Sequence, residues 1–175
     1  MIPSMHIDMG DVDGLADALL RAPSLIEHTI IDILTQSGFL LQRETVERAP
    51  VGVGGGGGLR GSIAASRPVR LGVSNIAIGV GSALDYAEPV ELGTRPHMPP
   101  IEPLVDWVEA KTGKTGEAAR SMAWAVAFKI KARGTEGVHM FGQAFEANQV
   151  QVQRIANVKI NQAIRSLGQP LGGAS

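Results

Sequence analysis

Apolar and polar positions follow two different periods along this chain, and the change of period divides it. From Ser24 onward, Ile26, Ile30, Ile33, Ser37, Leu40 and Leu41 recur at helical spacing as far as about Arg48, which predicts one strong amphipathic helix. Ser24-Leu25-Ile26-Glu27 reads as a capping box at its start, and Pro50 as its stop. A shorter helix is expected over residues 12–20, with Leu15, Leu19 and Leu20 on one side. Ala22-Pro23 separates the two helices, because proline lacks the amide that would bond to the preceding turn. Beyond residue 58 the period falls to two. Val69, Leu71 and Val73 alternate, Ser74-Asn75 offers a turn, and Ile76, Ile78 and Val80 alternate again, the pattern of a hairpin with one apolar face. Further strands are expected over residues 61–66 and 86–92. The apolar face of the sheet would pack on the long helix.

The second half returns to helical spacing. Pro96, Pro99, Pro100 and Pro103 form an extended connector, and Pro103 suits the first turn of a helix over about residues 102–111 that presents Leu104, Val105, Trp107 and Val108. Gly113 closes it. Thr115 is a plausible N-cap for a helix over residues 117–132 with Met122, Val126 and Ile130 at i, i+4, i+8, ending at Gly134. A last helix is expected over residues 142–167. It is rich in uncharged amides (Asn148, Gln149, Gln151, Gln153, Asn157, Asn161, Gln162), which suit either a subunit boundary or plain surface. The predicted fold class is therefore α+β: a long N-terminal helix packed on a small antiparallel β-sheet of three to four strands, followed by two to three C-terminal helices. The predicted organisation is an N-terminal arm with a short helix over residues 1–23, a single α+β domain over residues 24–168, and a flexible tail over residues 169–175.

Composition refines this picture. Hydrophobic residues are 44% of the 175, so the chain can bury a core, while charged residues are 19%, below the ~25% usual in soluble domains. Glycine is abundant at 22 residues and aromatics are only 4%, which suggests flexible loops and surface covered by other chains. Cysteine is absent, which excludes a disulfide scaffold, a thiolate zinc site and a cysteine nucleophile together. No apolar run approaches the ~20 residues that cross a bilayer, and the first residues lack a basic segment followed by an apolar one, so a soluble, non-secreted protein is expected. The net charge of −1 argues against nucleic-acid binding by a basic surface. That charge is unevenly placed. Residues 1–35 hold six acids against Arg21 alone, a sum of −5, whereas residues 111–165 hold nine bases against three acids, a sum of +6. Such opposed ends suit head-to-tail pairing of identical subunits, or are two solvated faces of a monomer.

Signals for chemistry are weak. Residues 52–58 satisfy GxGxxG only because they are nearly all glycine, and they follow a helix and precede strands, the reverse of a dinucleotide fingerprint. No Gly-Lys-Ser/Thr follows, as a phosphate loop requires. His6, His28, His97 and His139 show no i, i+4 pair and no HExxH. GxSxG is missing around Ser62 and Ser74, and Glu102, Asp106 and Glu109 have no distinctive acid–base spacing. The expectation is no enzyme, no catalytic residue, no metal and no cofactor, with a small cytoplasmic enzyme or nucleotide-binding protein as the alternative from a different class.

Three stretches carry a resemblance. They are Arg48-Ala49-Pro50-Val51 with Leu59-Arg60-Gly61-Ser62-Ile63 after the glycine run, then Asp85 to Arg95 with its Val90-Glu91-Leu92-Gly93-Thr94, and finally Phe141-Gly142-Gln143-Ala144-Phe145. In this order they resemble the small neck, or tail-completion, proteins of long-tailed bacteriophages (minor tail protein Z-like and related tail components). The likeness spans about residues 24–165. It departs from the family in the polyglycine run and in the added helices over residues 102–133. The resemblance implies a structural virion protein of the phage neck, assembled in the host cytoplasm, whose ring of six or twelve copies joins head and tail around the DNA channel. The implied partners are other neck and tail proteins, with no membrane, and with DNA passing through without sequence-specific contact. The nearest alternative is a tail-terminator ring that caps the tail tube. The family has no established catalytic residues to carry over. Residues 52–58, the 96–103 connector and the last helix are the segments expected to meet neighbours.

Overall fold

The computed structural model describes residues 10–51, 58–72 and 75–167, with side chains from residue 18 onward. The elements are α1 (Gly10–Arg48), α2 (Gly58–Ser62), β1 (Ala64–Ala65), β2 (Val69–Arg70), β3 (Ile76–Ala77), β4 (Val80–Gly81), α3 (Ala87–Leu92), β5 (Gly93–Thr94), α4 (Ile101–Thr112), α5 (Gly116–Arg133), β6 (Thr135–Glu136) and α6 (Met140–Leu167). The protein is mostly helical, with a long N-terminal helix, small antiparallel strand pairs and C-terminal helices, an α+β arrangement.

Two compact units divide the chain: Met1–Ser37 with Arg67–Ile78 and Gln149–Ser175, and Gly38–Ser66 with Gly79–Asn148. Both buried apolar clusters belong to the second unit. One gathers Ala49, Leu59, Ile63, Ala87 and Met140, with Val46, Val80, Leu84, Val90, Val138 and Phe141 around them. The other gathers Ile101 and Val108 of α4 with Ala119, Ala123 and Ala127 of α5.

Helix α1 corrects the expected break at Pro23. It runs through that residue without interruption, and Ser24 lies inside it rather than at a cap. The Ser24 hydroxyl donates to the Arg21 carbonyl, and Thr29, Thr35 and Thr45 donate to carbonyls one turn back. Each hydroxyl thus bonds to a helical acceptor, so these side chains accompany the helix instead of competing with it. Good helix formers on both sides of Pro23 offset the one lost backbone bond.

The expected three- to four-stranded sheet is instead three separate antiparallel pairs, β1–β4, β2–β3 and β5–β6, of two residues per strand. Arg70 pairs with Ile76, and the N–H groups of Leu71 and Gly72 both donate to the Asn75 carbonyl; Val73 and Ser74, expected as the strand end and the turn, lie outside the described residues. The strand expected over residues 61–66 begins inside helix α2, which ends at Ser62, and only Ala64–Ala65 is strand. The strand expected over residues 86–92 is helix α3, where Pro89 sits in the first turn at no cost to the ladder and Val90 N–H donates to the Tyr86 carbonyl. Only Gly93–Thr94 keeps an extended conformation, and its partner β6 lies some 40 residues away in sequence. The long helix does meet strands: in the second unit Val46 and Ala49 pack with Val80, and the Gln42 side-chain carbonyl accepts the Ala65 N–H at 2.9 Å.

The three later helices fall close to expectation. Gly113 and Gly134, both at positive φ, close α4 and α5 by donating their N–H groups to the carbonyls of Glu109 and Ile130. The buried stripe of α5 is a correction. Ala119, Ala123 and Ala127 face α4, while Met122 is exposed and Val126 and Ile130 are half-buried. Small side chains allow two helices joined by the short 113–115 link to approach closely, and the larger residues are left outside. Among the described residues no helix is long and apolar enough to cross a membrane.

Candidate functional site

The three stretches singled out in the sequence converge on one place, the Met140 cluster of the second unit. Arg48 and Arg60 both serve the C-terminal end of α1. Arg48 donates to the Glu44 carbonyl and carboxylate at 2.7 and 2.8 Å, and Arg60 donates to the carbonyls of Ala49 and Glu47 at 2.7 and 3.3 Å. Cations placed there meet the carbonyls that no further turn can satisfy. Two residues on, Ser62 bridges to Ser82 at 2.7 Å while Leu59 and Ile63 enter the core. Arg48 and Arg43 hold the Glu44 carboxyl below its ordinary range, with help from the Asn148 amide.

Glu91 ties the second stretch to the third. Its carboxylate accepts the N–H groups of Phe141 and Gly142 at 3.1 and 3.2 Å, at the start of the 28-residue helix α6, where orphan donors and the helix dipole favour an anion. Its backbone carbonyl accepts the His139 N–H, and that of Val90 accepts the Val138 N–H. Close backbone approach explains the glycines beside it. A Cβ on Gly93 would lie 2.3 Å from the Thr135 carbonyl oxygen, and one on Gly134 would lie 1.9 Å from that of Thr94. The motif residues are the joints of the fold.

The outer surface is the unusual feature. Among the described residues eleven hydrophobics are buried, six of them alanine, and twenty large ones are exposed. Six of the seven aromatic side chains are exposed: Phe39, Tyr86, Trp107, Trp124, Phe128 and Phe145. Trp124 and Phe128 lie one turn apart with ring centroids separated by 5.8 Å. Aromatic side chains carry the largest apolar areas and are enriched where proteins meet. Of the apolar residues that the sequence places on α4, Val108 is buried and Trp107 is exposed. The signal for the true packing was present in the spacing of Ala119, Ala123 and Ala127, which hydrophobicity alone undervalues.

Of the candidates for chemistry, His28 and His139 are exposed, and the exposed His97 ring contacts the Arg95 carbonyl at 2.9 Å; His6 lies outside the described residues. No group of three potential metal ligands occurs among the described residues. Glu102 pairs with Arg120 at 3.5 Å and Glu109 accepts the Gly116 N–H, both surface roles. Residues 52–57 of the glycine run, and the tail after residue 167, lie outside the described residues. Most amides of α6 are exposed: Gln149, Gln151, Gln153, Asn157, Asn161 and Gln162 face outward, while Asn148 is half-buried and donates to the Ala144 carbonyl. Compared with known proteins, the chain matches no family model, no curated protein and no solved structure.

Proposed function

We propose that this chain is a structural subunit of the bacteriophage neck, a ring-forming tail-completion protein that joins head and tail around the DNA channel and works by surface contact rather than bond-breaking. One observation carries this reading: among the described residues twenty large apolar side chains, six of the seven aromatics among them, stand exposed, while six of the eleven buried hydrophobics are alanine. A permanently solitary protein gains nothing from such a surface, whereas a subunit that closes on its neighbours buries it. Two further features support the reading. The motif stretches of the resemblance occupy the joints that fix α1, β5 and α6, as residues shared by a family for its fold would. The opposed charge of the two ends fits contacts that run head to tail around a ring.

The purified protein should form a closed oligomer of six or twelve copies by native mass measurement. Deleting its gene from a phage that carries it should leave filled heads and finished tails unjoined. Tail tubes of uncontrolled length would instead indicate the tail-terminator position. Normal infectious particles from the deletion would overturn the proposal.

A further inference from the structure

The last turns of α5 and the start of β6 enclose an open groove of about 450 Å³ in the second unit. Its apolar part is Val126 and Ile130, one helical turn apart and half-buried. Lys129 and Arg133, both exposed, line it as well, with Thr135 and a single acid, Glu136, at the β6 end. The exposed Lys131 adds a further positive charge on the same stretch. The groove is therefore an apolar strip beside a basic edge.

The opposite character occurs at the other end of the chain. Residues 1–20 hold Asp8, Asp11, Asp13 and Asp17 and no Lys or Arg. Apolar residues alternate with these acids, and Val12, Leu15 and Leu19 are spaced i, i+3, i+7. The backbone is helical from Gly10 onward, and of the side chains described there Ala18 is half-buried while Leu19 and Leu20 are 65% and 80% exposed. An acidic helix with an apolar stripe and a basic groove with an apolar strip have the features of a helix-in-groove contact.

We infer that the groove formed by Val126, Ile130, Lys129 and Arg133 receives the acidic N-terminal helical arm, residues 11–20, of a second copy of this chain. The inference deepens the ring reading and rests on it, since a contact between two different patches is the kind that propagates around a ring. The apolar residues supply the drive for association, and the Asp–Lys/Arg pairing sets direction and excludes arm-to-arm contact.

Charge reversal tests it in the full-length protein. Lys129→Glu with Arg133→Glu should weaken self-association in sedimentation by about tenfold or more. Asp11→Lys, Asp13→Lys and Asp17→Lys together should do the same, and the chain bearing all five changes should recover association. Thermal melts check that each variant is folded. A synthetic peptide of residues 5–20, added in excess, should dissociate the wild-type oligomer, less effectively at high salt. A monomeric wild type would overturn the inference, and so would a double variant that associates as tightly as the wild type or a peptide without effect. An oligomer undone by both reversals in a protein that never enters particles would leave this contact standing and remove the neck reading. A protein found in particles whose association ignores both reversals would do the opposite.

Discussion

The two compact units differ in what holds them. The second unit contains both buried clusters, the helix joints and two of the three strand pairs. The first unit contains, among its described residues, no buried apolar side chain; its one buried residue is Ser37, whose hydroxyl has no partner. Its apolar side chains are at most half-buried, among them Leu25, Ile33, Leu34, Val152 and Ile155, and it carries the surface ion pairs Arg70 with Glu27 and Lys159 with Asp32. Such pairs are worth ~0–1 kcal/mol each, far less than a core. Leu19, Leu20, Ile26, Ile30, Val150, Val158, Ile160 and Ile164 all remain exposed there. One part of the molecule is thus complete as a fold. The other is largely helical and keeps many of its large apolar side chains exposed.

The contrast can be broken most forcefully at Gly134. Replacing it with valine puts a side chain into the Thr94 backbone at a positive φ, and should cost about 3 kcal/mol or more in urea unfolding. A Gly134→Val protein of unchanged stability would show that the β5–β6 joint is not part of the cooperative core. A smaller effect of opposite sign is expected in the first unit. Pro23→Ala restores a helical donor, and the gain of about 1–3 kcal/mol should slow amide exchange around residues 19–27 by roughly tenfold or more. Exchange that does not change would mean the helix is broken at Pro23 after all.

The pH dependence of Glu44 sharpens the comparison at lower amplitude. Its carboxyl is held below the ordinary value in the native state, chiefly by Arg48, so ionisation favours folding above the ordinary glutamate range. That contribution fades as pH falls through the lowered value. Glu44→Gln should melt below the wild type at neutral pH, with the gap closing in strong acid; a gap that persists there would assign the effect to packing. Smallest of all should be Ile164→Ser. Its side chain is 61% exposed, so the melting of the unassociated chain should shift by no more than ~0.5 kcal/mol. A large loss would reveal a core in the first unit.

Legibility in the sequence followed the range of the interaction. Helices α4, α5 and α6 were readable to within one or two residues, because Pro103, Gly113 and Gly134 act on their own neighbours; Thr115 holds the N-cap position of α5 but makes no side-chain capping bond. The Pro23 break was misjudged, since a local penalty was set against a long helical run whose total preference exceeds it. The 86–92 stretch was misread because an alternating pattern with a proline is compatible with a short helix as well as with a strand. The joints of the fold were not legible. Nothing local in Glu91 says that it will cap a helix 50 residues on, and nothing in Trp107 or Trp124 says that alanines will take the interior.

Amino-acid order alone determined where α1 ends, where α4, α5 and α6 begin and end to within a residue or two, and the uneven charge. Those depend on backbone torsion, capping and side-chain charge, which act over a few residues. Tertiary structure alone decided that β5 pairs with β6, that Arg60 and Glu91 close the ends of α1 and α6, and that the large apolar side chains face outward. Those outcomes depend on which distant surfaces fit at close approach. Shape matching of that kind is a property of the packed chain as a whole.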